Sequence, residues 1–137
     1  MSDDPTTAAR DYLRTDHGDL LAAVDACADA VADSWDGATV ADGSRVSAPL
    51  RACLDRAGAL DAFPRALAGA VDAAGRELQA TPVAGPPYVV VTSRGPVLRA
   101  TLPDGRLVVR FDVFRVTAGN EYARGPSGED ALDVSLR

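Results

Sequence analysis

The sequence predicts a single α+β domain in which helices precede strands, and three observations lead there. Up to about residue 79 the larger apolar residues recur at i, i+3, i+4 and i+7, the spacing of a helical stripe. Prolines in the stretch 81–87 end that pattern. The following thirty residues or so alternate apolar and polar, and Asp104-Gly105 sits between two such runs as a hairpin turn signal. The expected architecture is three or four helices packed on one face of a three-stranded antiparallel meander, with a short fourth edge strand as a candidate. The helical part takes up about 5–79 and the β part about 88–136 of one domain over 1–137.

The first helix is expected from Pro5, with Asp4 as its cap, because a proline in the first turn forfeits an N–H that has no partner there anyway. Gly18 should break it. In the second helix Leu20, Val24, Cys27 and Val31 form an apolar stripe widened by Leu21, Ala28 and Trp35, while Asp25, Asp29 and Asp33 line the other face. Residues 36–46 read as a loop, after which Ser47 caps a helix ending at Gly58 and burying Leu50, Cys53, Leu54 and Ala57. Asp61 then caps a helix to about Gln79, in which Gly69 and Ala73 mark a side where another backbone comes close.

Strands are expected near 88–92, 97–102 and 107–116. Opposing Leu102 to Leu107, Ala100 to Val109 and Leu98 to Phe111 puts the apolar pairs on one face. The same register places Val91 beside Leu98 and Val89 beside Ala100. Arg99, Thr101, Val108 and Arg110 then share the opposite face, with Val90, Val97 and Phe114 as apolar neighbours. A loop over 117–130 and a weak alternation of Leu132, Val134 and Leu136 complete the chain.

Composition speaks to environment. There is no lysine and no isoleucine, the cations are fourteen arginines, seventeen of the twenty acids are aspartate, and the net charge is −6. Aspartate holds hydrated charge close to the backbone, which suits a surface that must keep water against molar salt. The composition, like the helix-then-strand layout, is similar to that of uncharacterised haloarchaeal proteins, and the resemblance implies a cytoplasmic protein of a halophile without implying an activity. The acidic start, Met1-Ser2-Asp3-Asp4, is followed by no apolar run, so neither a signal peptide nor a membrane span is expected. Cys27 and Cys53 lie on apolar stripes without a CxxC pattern and are expected to be buried free thiols.

Several chemistries are excluded by residue type. Without lysine there is no Schiff-base lysine and no Walker A motif. His17 is the one histidine, which rules out multi-histidine zinc sites, and it reads as an exposed turn residue. The aspartate row reads as a solvated face rather than a cation site. No metal, cofactor or catalytic residue is expected.

One asymmetry remains. Residues 88–124 hold six arginines against three acids on a chain whose first 87 residues hold seven against fourteen. Arg99 and Arg110 on the outer face, with Arg94 and Arg106 at the hairpin tips, are therefore the candidate binding residues, a planar anion-binding surface. The expected function is a small soluble, non-enzymatic interaction or accessory protein whose partner is another protein or a second copy of itself. The alternatives are a winged-helix-like DNA-binding regulator, built on helices 48–57 and 61–79, and an enzyme of unrecognised type. Nucleic acid is the less favoured partner and a membrane is not expected.

Overall fold

The structure is a computed structural model that describes residues 4–137; the rest of the acidic start, residues 1–3, lies outside the described residues. Helix α1 (Pro5–Asp16) opens as its sequence dictates: Asp4 Oδ1 accepts from the Thr6 N–H at 2.9 Å and from the Thr6 hydroxyl at 2.7 Å. These bonds hold the Asp4 carboxyl below its ordinary value, because they favour the charged form. The break falls one residue earlier than expected, at His17, whose carbonyl accepts from both Leu20 and Leu21 to start α2 (Gly18–Asp33). The α2 stripe is buried as anticipated, from Leu20 through Val31 to Trp35.

The stretch expected to be a loop holds structure. Strand β1 (Thr39–Val40) lies in it, and α3 (Ser44–Arg56) begins three residues before Ser47. Asp42 serves that end in place of Ser47, accepting from the Ser44 N–H at 2.9 Å and the Ser44 hydroxyl at 2.8 Å, which lowers its pKa in the same way. Pro49 sits inside α3 and cannot donate to the Arg45 carbonyl. Trp35 Nε1 supplies a donor there at 3.5 Å.

Helix α4 (Ala59–Ala73) follows Gly58, which adopts φ +79°, so its cap is not Asp61. It is also shorter than expected. Gly75 takes φ +74°, and the Arg76 N–H folds back onto the Val71 carbonyl at 3.1 Å, the closure by which a left-handed glycine ends a helix. Leu78 therefore leaves the helical stripe and reaches the core edge from an irregular segment. At Gly69 a side chain, not a second backbone, makes the close approach: a Cβ there would overlap the Tyr12 ring from α1.

The main sheet is β2 (Val89–Thr92), β3 (Gly95–Leu102), β4 (Gly105–Phe111) and β7 (Leu132–Leu136), antiparallel throughout, in the order β2-β3-β4-β7. The candidate edge strand is thus a full partner of β4, and the sheet has four strands rather than three. The register differs from expectation by two residues. Ala100 faces Leu107, Leu98 faces Val109 and Val89 faces Leu98. Both hairpins close with two-residue loops, Ser93-Arg94 and Pro103-Asp104, so that Gly95 and Gly105 are already paired strand residues. Those glycines take φ +141° and +147°, and a Cβ would collide with the Phe111 and Arg137 carbonyl oxygens respectively. A slip of two preserves parity, so the faces assigned from the sequence stand.

The expected strand 107–116 is two strands. After Phe111 the Val113 N–H turns back to the Phe111 carbonyl at 2.9 Å, a three-residue turn that redirects the chain. Strand β5 (Phe114–Val116) then joins β6 (Tyr122–Arg124) and β1 in a second antiparallel sheet ordered β1-β6-β5, in which β1 and β6 occupy stretches expected to be loops. A 3-10 turn, Gly128–Asp130, leads into β7.

Helices α1, α3 and α4 pack against the four-stranded sheet, whereas α2 packs on α3 and α4 and against β6 and the 3-10 turn. The helical layer is therefore divided between two sheets. The core runs from Ala9 and Leu13 through Phe63 and Leu67 to Leu98, Leu107 and Phe111, with Phe63 and Phe111 ring centroids 5.7 Å apart. Cys27 and Cys53 are joined as a disulfide with Cα atoms 5.6 Å apart, which overturns the free-thiol expectation. The physical reason is that the two apolar stripes face one another across the α2–α3 contact. Periodicity within one helix does not say which stripe it meets.

Candidate anion-binding face

Alternation along β3 and β4 sends Val97, Arg99, Thr101, Arg106, Val108 and Arg110 away from the core. In strand pairing, Val97 lies opposite Arg110, Arg99 opposite Val108 and Thr101 opposite Arg106. Strand β7 extends the rows, setting Asp133 beside Arg110 and Ser135 beside Val108. One position further, Arg106 and Arg137 exchange both backbone hydrogen bonds, at 2.7 and 2.9 Å, and so stand directly opposite.

The four arginines singled out from the sequence come together. Arg94, Arg99, Arg106 and Arg110 line one shallow depression of about 280 Å³, joined by Arg137 and floored by Val97 and Val108. Val108 faces outward yet is 6% exposed and lies outside the main core, because the arginine stems beside it cover it. Thr92 and Asp112 complete the rim. A second depression, of about 560 Å³, shares Arg94, Arg110 and Asp112 and continues past Arg115 and the exposed Val116.

The arginines are not equivalent. Arg110 pairs with Asp112 at 3.3 Å and Asp133 at 3.8 Å, and its Nε, buried, has no hydrogen-bond partner. Among the described residues no ion pair forms to Arg94, Arg99, Arg106 or Arg137. Arg124, counted in the same basic segment, is elsewhere. Its guanidinium reaches Asp29 at 2.9 Å and Asp25 at 3.2 Å on α2 and donates to the carbonyls of Val113, Gly125 and Pro126. Two members of the aspartate row are thus ion-paired to an arginine.

Arg137 was missed because the last thirteen residues carry net negative charge and β7 was read as a weak edge. The alternation of Leu132, Val134 and Leu136 held the signal, since it sends Asp133, Ser135 and Arg137 to the outer side once β7 pairs with β4. Phe114, expected on this face, is instead 1% exposed in the second sheet against Trp35, with ring centroids 5.7 Å apart. His17 is half-buried rather than exposed, its Nε2 lying 2.9 Å from the Tyr12 hydroxyl. Burial, with Asp16 and Asp72 nearby, raises the Tyr12 pKa. Helix α4, the would-be recognition helix, turns Phe63, Leu67, Ala70 and Val71 inward and leaves Asp61, Arg65 and Asp72 exposed. No helix among the described residues is long and apolar enough to cross a membrane.

The fold and face together define a small α+β domain with an arginine-lined sheet surface. The chain belongs to the family described as Domain of unknown function (DUF7988), whose model matches residues 7–137. No curated protein and no solved structure matches it.

Proposed function

We propose that this chain is a small accessory protein of a halophilic cytoplasm that acts by binding, taking an acidic partner protein on the outer face of the four-stranded sheet. The observation that supports it most is the convergence of Arg94, Arg99, Arg106, Arg110 and Arg137 on one surface of a chain whose net charge is −6. Among the described residues Arg94, Arg99, Arg106 and Arg137 form no ion pair although acids are abundant, the arrangement a surface complementary to an acidic partner needs. Exposed charge contacts weaken where the Debye length is short, so in molar salt the half-exposed Val90 and Val97 beside the arginines add apolar area. A DNA-reading function draws less support, because the exposed side of α4 is acidic on balance.

The experiment replaces Arg99 and Arg110 with serine and compares partner capture from a high-salt extract, with circular dichroism as the check on folding. Loss of a reproducible partner with an intact fold is expected, and an unchanged partner set would refute the docking face. The halophilic setting has its own test: melting should occur at a clearly lower temperature in about 0.1 M than in about 3 M KCl, because self-repulsion of the acidic surface is screened only in the latter. The cytoplasmic setting is tested through Cys27–Cys53, since disulfides persist mainly in oxidising compartments. If the bond exists in the cell, chain treated with an alkylating reagent during native extraction should carry no label on either cysteine and be two hydrogen atoms lighter than the reduced form, and that result would move the protein out of an ordinary reducing cytosol.

A further inference from the structure

We infer that Arg99, Arg106 and Arg137 form a seat for the phosphoryl group of a small organic phosphate monoester. Arg106 and Arg137 are direct cross-strand neighbours, and Arg99 lies two residues before Thr101, the partner of Arg106, on the same face. All three line the same depression. Like charges directly opposed on a sheet are destabilising. Acids near the three are engaged elsewhere: Asp104, two residues from Arg106, is bound by Arg76 at 3.0 Å, and Asp112 and Asp133 lie against Arg110. What remains, among the described residues, is three arginines without an ion pair lining one depression on adjacent strands of the sheet.

The chemistry of the missing counter-ion follows from number and shape. One guanidinium fork satisfies both oxygens of a carboxylate, whereas a phosphoryl group offers three oxygens and close to two charges at neutral pH. A phosphodiester brings one charge per phosphate, so three adjacent arginines match a monoester better. The depression, about 280 Å³, lies at the small end of ligand clefts. Beside it, sharing Arg99, a notch of about 90 Å³ is lined by Leu78, Pro87, Tyr88 and Thr101. That notch would hold the organic part of the ligand.

The seat rests on the proposed reading only in that both need these arginines free for a ligand, and phenyl phosphate tests it separately. Titration calorimetry of the full chain at constant ionic strength should show saturable one-to-one binding of phenyl phosphate. Affinity should fall by about tenfold or more in R106Q and in R99Q and stay unchanged in R51Q on α3. R106Q should melt no lower than the parent chain, because it relieves the repulsion with Arg137, a result that a merely structural arginine would not give. Absence of saturable binding, affinity undiminished in R106Q and R99Q, or tighter binding of a short single-stranded oligodeoxynucleotide would overturn the seat. Loss of partner capture in the Arg99/Arg110 variant without phenyl phosphate binding would sink the seat and leave the docking face. Phenyl phosphate binding with partner capture unchanged would do the reverse.

Discussion

Arg124 and Arg106 are both strand-end arginines of the same basic segment, and the molecule treats them in opposite ways. The sheet that carries Arg124 is covered by α2, and its side chain there is 18% exposed, the guanidinium held between two aspartates and three carbonyls. The outer face that carries Arg106 has no helix over it, and Arg106 stands opposite Arg137 with no ion pair to either among the described residues. What separates a structural arginine from one available to a ligand is therefore the placement of α2, an element that the four-stranded sheet does not hold. Charge counted along the chain merges the two cases.

The contrast between a packed side and a presented side is tested most severely within one hairpin, β3–β4. Phe111→Ala, which empties a position 2% exposed against Phe63, should destabilise the chain by about 3–5 kcal/mol, and Arg99→Ser by less than about 1 kcal/mol. Chemical denaturation of both variants checks this, and the opposite ranking would show that the sheet faces are exchanged.

Next in size is the tie that keeps α2 beside α3. Replacing Cys27 and Cys53 with alanine reopens a 26-residue separation and should cost about 3–4 kcal/mol by the chain-entropy account. Equal urea midpoints for the variant and the parent would remove the disulfide from the set of contacts that position α2.

Arg124→Ala should be felt less than either, by about 1.5–3 kcal/mol, since its hydrogen bonds involve a charged donor and Asp25 is left half-buried without its partner. The readout that sharpens the comparison is amide exchange: protection should fall in β6 and around Gly125 while β3 and β4 keep theirs. A uniform loss over both sheets would mean that they do not differ in how they use arginine.

The smallest effect belongs to the helix starts. Asp4 and Asp42 are held below their ordinary value of 3.8 by hydrogen bonds from Thr6 and Ser44. A carboxyl depressed in the folded state stabilises above its unfolded pKa, and that contribution is lost as pH falls through the depressed value. The Thr6 and Ser44 amides should therefore lose protection, measured against the intrinsic exchange rate at each pH, on acidification below about pH 4 and before the sheet amides do. Unaltered protection down to about pH 2 would discount both caps.

How far the sequence could be read follows from where its signals are local. The α2 stripe, the Asp4 cap and the facing of Leu98, Arg99, Arg110 and Phe111 were legible because each rests on a period or on a contact within a few residues. The register of both hairpins was two residues out, since alternation constrains parity and leaves slips of two unresolved. Gly75 was readable as a stop but stood inside a longer apolar pattern. Strands β1 and β6, two and three residues long, carry too few positions to show a period at all.

By itself the sequence determined that helices precede strands, that the chain is acidic and lacks lysine and the motifs that depend on it, and that Arg99 and Arg110 fall on one side of a sheet. Those follow from residue chemistry and from the geometry of single helices and strands. The tertiary structure alone decided that Cys27 meets Cys53, that β5 leaves the meander for a second sheet, that Arg124 is clamped by α2, and that Arg137 joins Arg99 and Arg106. Each of these depends on which element packs against which, a choice made by long-range burial among many apolar faces of similar width, and no short stretch of chain records it.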